Sequence, residues 1–302
     1  MPATLKLAMV GLDTSHVEAF AKLLHDTSHP YHVRGARVVA AYPGIPSQDF
    51  ALSRDRVDGY TRKLRDEFGV TIVGSEEDAA VAADAVLLES VDGRVHRTQL
   101  EKLAPAGKPV FVDKPFALSM SDAEAMFELA ARHRFPLMSS SALRYAQGLI
   151  DALADGSKGP VIGADFYGPM AIEPTQPGFF WYGIHTAEAL VATLGSEVRG
   201  FAVASNDDHD VLTAEWADGR IGTIRGNRKG NTGFGGVIHR EKGSTFIDVY
   251  AHPKPYYAGL LENIIAMVKT GVSPVPVAET LAIIRMLEEA NRLRESKAPA
   301  RL

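Results

Sequence analysis

The sequence predicts an α/β protein, with a doubly wound parallel sheet in the N-terminal half and an α+β domain carrying an open, mainly antiparallel sheet in the C-terminal half. Three observations predict it. Short apolar runs alternate with amphipathic stretches at βαβ spacing up to Ser139. Beyond Ser139-Ser140-Ser141 that rhythm gives way to strand-like runs joined by the turn dipeptides Asp218-Gly219 and Lys242-Gly243. The total of 302 residues is long for one hydrophobic core. The boundary is placed at 1–141 and 142–302.

Taken in order, Leu5–Val10 reads as the first strand, and Gly11 follows it. Ser15 and Glu18 have the spacing of a capping box, and Val17, Phe20, Ala21 and Leu24 form one apolar helical face. A strand–glycine–helix opening suits a dinucleotide pyrophosphate, which backbone N–H groups and the helix dipole hold. The glycine fingerprint here reads Gly11-Leu12-Asp13-Thr14-Ser15-His16, with only its first glycine. The stretch therefore reads equally as a helix start capped by Asp13, Thr14 and Ser15. Arg37–Tyr42 is the second strand, and Tyr42-Pro43-Gly44 stands where such sheets often carry a ribose-binding carboxylate.

A helix over Thr61–Phe68 ends at Gly69, and Val70–Val73 is a short strand. Ser75 and Asp78 open the next helix, and Ala85–Leu88 the next strand. The loop Glu89-Ser90-Val91-Asp92-Gly93 and His96 follow. Their spacing matches no metal motif, so polar residues lining a cleft are expected and no metal. Pro109–Val112 is a buried strand that delivers Lys114 to the carboxyl edge of the sheet, where open α/β folds place ligands. A surface lysine in a strand-to-helix loop is the competing reading. Ser121 and Glu124 form a further capping box, and Phe135–Ser139 is the last parallel strand.

In the second half a helix is expected near Ala142–Ala154, then strands at Val161–Tyr167, Val198–Ala204, Val211–Trp216, Arg220–Arg225, Val237–Arg240 and Thr245–Tyr250. Helices at Tyr257–Thr270 and Ala278–Arg294 close the chain. Between them, Ile184, Ala187, Val191 and Leu194 mark the core face of a helix that also carries His185 and, three residues on, Glu188. A His–carboxylate pair can serve as a proton acceptor, but taken alone these residues read first as a satisfied surface histidine. Asp207–Asp210 reads as a polar loop, and the Gly-rich, basic run Arg225–Gly236 as a flexible hairpin connection, with contact to an anionic substrate group as the alternative.

Composition bounds the function. A net charge of -5 argues against nucleic-acid and anionic-membrane partners, and the absence of cysteine excludes disulfides and thiolate sites. No basic region with a long apolar segment precedes the first strand, so a cytoplasmic protein is expected.

Gly107-Lys108-Pro109-Val110-Phe111-Val112-Asp113-Lys114-Pro115 is similar to the strand ending in Glu-Lys-Pro of the glucose–fructose oxidoreductase / inositol dehydrogenase (Gfo/Idh/MocA) family, with Asp113 in place of the glutamate. Arg144-Tyr145 resembles that family's Arg-aromatic pair, and Gly183-Ile184-His185 its Gly-x-His helix start. The resemblance covers essentially the whole chain. It implies a Rossmann domain followed by an α+β domain whose open sheet forms the interface of a homodimer or homotetramer. It further implies NAD or NADP as cofactor, and oxidation of a secondary hydroxyl on a small-molecule carbohydrate, polyol or glycoside. Lys114, His185 and Glu188 are the catalytic candidates, with Lys114 and His185 meeting at the nicotinamide. Gly11, Asp13, Thr14, Ser15, His16, Tyr42, Ser90 and Lys114 are the cofactor candidates. Asp92, His96, Arg144, Trp181 and Tyr182 are the substrate candidates, Trp181 as a stacking platform. Trp181 stands where many members carry an acidic residue, and the ribose carboxylate is missing. Two other readings therefore stay open: redox-neutral epimerisation, elimination or glycoside cleavage on tightly bound NAD, and a sugar-binding protein that lost the cofactor.

Overall fold

The computed structural model describes residues 4–296. They form two compact units. The first is built from residues 4–117, Ser121–Ser140 and Tyr257–Pro276, and the second from Leu118–Met120, Ser141–Tyr256 and residues 277–296.

In the first unit the chain runs β1 (Leu5–Val10), α1 (His16–His25), β2 (Ala36–Tyr42), α2 (Ala51–Arg54), α3 (Val57–Phe68), β3 (Thr71–Ile72), α4 (Glu76–Ala82), β4 (Ala85–Leu88), α5 (His96–Leu103), β5 (Val110–Val112), α6 (Met120–His133) and β6 (Leu137–Ser139). All pairs in the sheet are parallel, in the order β3-β2-β1-β4-β5-β6. A parallel sheet covered on both faces needs uninterrupted apolar strands. Leu7–Val10, Ala85–Leu88 and Val110–Val112 supply them, all buried. The register pairs Val10 with Leu88 and Leu88 with Val112, so these three strands end level. That lines up their following residues at one carboxyl edge.

Helix starts depart from the expected caps in two places. Ser15 adopts helical backbone angles and its hydroxyl caps nothing; Glu18 instead reaches Lys63, 2.5 Å away. Thr14 Oγ1 accepts the His16 N–H at 3.4 Å in its stead. Ser121 lies inside α6, which begins at Met120, so it is not an N-cap. Ser75 does cap α4, accepting the Asp78 N–H at 3.1 Å. The helix expected over Ala142–Ala154 is broken: a 3-10 turn at Ala142–Tyr145 ends at Ala146, which is extended, before α7 (Gln147–Ala154).

The second unit continues with β7 (Val161–Pro169), α8 (Phe179–Leu194), β8 (Val198–Ser205), β9 (His209–Trp216), β10 (Ile221–Asn227), β11 (Gly235–Arg240) and β12 (Gly243–Asp248). After α9 (Tyr256–Thr270), which belongs to the first unit except for its first residue, α10 (Val277–Ser296) completes it. Its sheet has the order β12-β11-β7-β10-β9-β8, antiparallel except for the β7–β10 pair. One face carries Leu212, Ala214, Trp216 and Ile224, all buried. A side chain at Gly222 would meet Leu190 at 2.6 Å, so the glycine lets α8 seat on this face. Ile221 and Phe246, 54% and 64% exposed, lie on the opposite face with Asp165 and His239.

Candidate active site

The carboxyl edge of the parallel sheet collects most of the residues singled out in the first half. Gly11 has φ +83°, and a Cβ on it would lie 2.1 Å from Ser90 Oγ. Its glycine is therefore required by close packing on the β4 loop as well as by the turn. The Gly11 N–H donates to the Tyr42 carbonyl at 3.0 Å, which ties the end of β2 to the same point. Asp13 is 5% exposed. Its carboxylate accepts from Ser53 Oγ at 2.5 Å and from the Val91 N–H at 2.8 Å. Burial raises its pKa, against those two hydrogen bonds. The side chain thus turns into the scaffold of loops rather than toward an anion at the helix start. The N–H groups of Thr14 and Ser15 donate to no partner among the described residues.

Asp92 and His96 are both engaged in holding loops. Asp92 accepts from Ser47 Oγ at 2.6 Å and from Arg94, whose guanidinium also clasps Asp49. His96 is fully buried, with Nε2 2.7 Å from the Ser90 carbonyl and Nδ1 3.0 Å from that of Pro115. The ring therefore bolts the β4 loop to the segment that begins with Lys114. Lys114 itself is half-buried, and its N–H donates to Asp113 Oδ1 at 2.8 Å.

Beneath that lysine lies a cluster not foreseen from the sequence. His16, Glu89 and Asp113 bring one ligand atom each within 4.8 Å of one another. Burial, reinforced by the charge on Asp113, raises Glu89 well above the usual carboxylate range. Burial pushes Asp113 up as well, but the positive charges of His16 and Lys114 prevail and hold it down at about 2. The trio shares only Glu89 with the Glu89–Asp92–His96 loop, which the sequence reads as cleft-lining polar residues, because level strand ends, not neighbouring positions, decide what converges.

In the second unit, α8 carries His185 and Glu188. Phe179, the first residue of α8, donates its N–H to Asn291 Oδ1 at 2.8 Å, so α10 caps the helix that Gly178 cannot cap. His185 Nδ1 lies 2.7 Å from Ser141 Oγ, and its ring packs edge-on against Tyr182 and Phe234. Ser141 was not singled out from the sequence; it sits 44 positions away in the chain. Glu188, 3% exposed, accepts from Arg144 Nε at 2.5 Å, and Arg144 also lies 2.7 Å from Glu279. Burial lowers the Arg144 pKa, but the two carboxylates more than offset it and the net shift is upward. Trp181 is 9% exposed and packs edge-on against Tyr182, which is the more accessible of the two rings.

A parallel sheet of this order, with a glycine turn leading from β1 into α1, defines a Rossmann-type unit. Residues 6–140 match the model of the Gfo/Idh/MocA family, described as an oxidoreductase family with an NAD-binding Rossmann fold.

Among curated relatives, D-apiose dehydrogenase of Paraburkholderia graminis is 36% identical over 98 residues, 31% of this chain and 26% of the relative. The relative YceM of Salmonella typhimurium is 29% identical over 143 residues, 47% of this chain and 40% of its own. The matches therefore span between about a quarter and two fifths of those relatives. Solved structures align over nearly the whole chain. An Agrobacterium radiobacter oxidoreductase in complex with NAD+, L-tartaric acid and magnesium has a TM-score of 0.75 at 18% identity, covering 98% of both chains. Apo scyllo-inositol dehydrogenase from Lactobacillus casei has a TM-score of 0.76 at 16% identity, covering 99% of this chain and 98% of that one. These likenesses establish the fold.

The residues at the sheet edge fit the dinucleotide that the family binds. The start of α1 presents two N–H groups without partners among the described residues, Asp13 is turned inward, and Glu18 in the first turn is paired with Lys63. The carboxylate that commonly holds the ribose is absent: β2 ends in Tyr42.

Proposed function

We propose that this chain is an NAD(P)-dependent oxidoreductase acting on a secondary hydroxyl of a sugar, polyol or glycoside. The observation that carries the proposal is the place of Lys114. It directly follows the residue that ends the β5 crossover, at the carboxyl edge of a family-matched Rossmann sheet. The names of the relatives point to polyhydroxylated substrates: one is an apiose dehydrogenase and one a scyllo-inositol dehydrogenase.

In this reading Gly11, the Thr14 and Ser15 N–H groups, Tyr42 and Ser90 form the cofactor seat, with Asp13 fixing its loops; the His16 ring, expected there from the sequence, is instead committed to Asp113, Phe20 and Tyr257. A bound nicotinamide would supply the hydride acceptor for oxidation at the carbinol carbon. His185 takes the hydroxyl proton on Nε2, its Nδ1–H donating to Ser141 Oγ. Lys114 donates to the same oxygen and stabilises developing alkoxide charge. Arg144 and Glu188 hold α8 and the turn before α7 together, which fixes the height of His185. Tyr182 meets the substrate ring, and Trp181 supports it. The exposed sheet face around Ile221 and Phe246 is assigned to a homo-oligomer contact.

The test is NAD and NADP reduction against a panel of aldoses, inositols and glycosides. The wild-type protein should turn over at least one, and Lys114→Ala and His185→Ala should each lower kcat by about 10²–10⁴-fold. Unchanged turnover in both variants sinks the assignment. Product formation without net reduced cofactor would replace it with redox-neutral chemistry on bound NAD.

A further inference from the structure

We infer that His16, Glu89 and Asp113 form a binding site for one divalent first-row metal ion in the Rossmann unit. The three residues come from three crossovers. His16 opens α1, Glu89 follows β4, and Asp113 follows β5. Their main chains are fixed by the sheet: the Glu89 N–H donates to the Val10 carbonyl at 2.7 Å, and the Asp113 N–H to that of Leu88 at 2.8 Å. Phe20 stacks on the imidazole at 5.6 Å and Tyr257 meets it edge-on at 5.0 Å, so the ring has one orientation.

What points to a ligand is the state of the polar atoms. Glu89 is fully buried, and neither carboxyl oxygen has a hydrogen-bond partner among the described residues. His16 Nδ1 and Asp113 Oδ2 are buried too and lie 2.7 Å apart, yet neither makes a hydrogen bond of acceptable geometry. Glu89 Oε2 is 4.0 Å from the same nitrogen. A buried carboxyl group without a partner, as at Glu89, is costly, and a cation beside it and the His16–Asp113 pair removes the cost. Metal–ligand bonds of about 2.0–2.2 Å place adjacent ligand atoms about 3 Å apart. The observed 2.7 and 4.0 Å straddle that spacing, so small rotations of the side chains close the site.

One imidazole nitrogen with two carboxylate oxygens suits Mn2+ or Zn2+ better than a soft ion such as Cu(I) or an all-oxygen ion such as Ca2+. Three protein ligands leave room for water in the remaining positions. Because Asp113 Oδ1 holds the Lys114 N–H, an ion on Oδ2 would also stiffen the loop that carries the lysine.

The experiment uses the full chain, stripped with chelator and titrated with Mn2+ by electron paramagnetic resonance and with Zn2+ by calorimetry. One ion per chain is expected, with a raised melting temperature. Glu89→Gln and His16→Asn should each weaken binding by about 10-fold or more. Should either variant fail to fold, the wild-type protein still decides the matter: spin-echo modulation from a directly bound imidazole nitrogen should appear on Mn2+. No stoichiometric binding of either ion, or binding without a nitrogen signal and equal in both variants, overturns the inference.

Discussion

Ser141 Oγ and His185 Nδ1 lie 2.7 Å apart, and the same hydroxyl accepts the Leu143 N–H at 3.2 Å. One side chain therefore sets both the 3-10 turn and the orientation of the imidazole. Ser141→Ala should lower kcat by about 10-fold while leaving KM nearly unchanged, and cost about 1 kcal/mol of stability through the orphaned N–H. Ser141→Thr, which keeps the oxygen, should restore most of the rate. Steady-state kinetics beside thermal melts check this; equal loss in both variants would remove Ser141 from the positioning role.

Arg144 is held between two carboxylates in a buried setting, its side chain 14% exposed. Removing one partner leaves a buried charge half-compensated. Glu188→Ala should therefore destabilise the protein by about 3–5 kcal/mol, more than a surface ion pair would. Replacing Arg144 and Glu188 together by Met and Leu should recover part of that loss. Urea unfolding of the single and double variants measures the coupling, and additive losses would show that the pair does not act as a unit.

A pH-dependent contribution comes from His25, far from either candidate site. The Val38 N–H donates to its Nε2 at 3.1 Å, which requires that nitrogen unprotonated. Burial, helped by the charge of Arg37, lowers its pKa below 6.5. The folded state thus binds the proton less readily than the unfolded chain. Stability from this group is complete above pH 6.5 and is lost as the pH falls through that value toward the folded one. Melting temperatures at pH 7.5 and 5.5 should differ less for His25→Gln, whose amide oxygen still accepts from Val38. An identical pH response in variant and wild type would exclude His25 as a contributor.

The architecture was legible because each element announces itself locally. Val110-Phe111-Val112 cannot be much besides a buried strand, and Asp218-Gly219 does turn between antiparallel neighbours, whereas the second turn falls one residue earlier than expected, at Glu241-Lys242, with Gly243 already paired to Arg240 in the strand. Side-chain direction was not legible. Asp13 reads in sequence as an obstacle to phosphate, but it faces Ser53 and Val91, partners that only the folded loops bring near. The capping-box spacing at Ser15 and Glu18 was overridden when Lys63, on α3, took the glutamate. Ser141 gave no sequence signal, since its value lies in meeting α8. Likewise His16, Glu89 and Asp113 share no motif spacing; the register of three parallel strands assembles them.

Helix α9 returns to the first unit long after the chain has left it, setting Tyr257 against His16 and Phe20. That gives the unit a timetable. As the polypeptide leaves the ribosome, the last strand of the parallel sheet is complete at Ser139, but the unit's last packing partner is not made until Tyr257–Pro276 emerges. In the interval the apolar side of Phe20 and the imidazole of His16 lack the aromatic cover they have in the finished protein. A gene fragment ending at Ser140 reproduces that unfinished state permanently, so the Rossmann unit is best produced with its late helix supplied, either in cis or as a circular permutation.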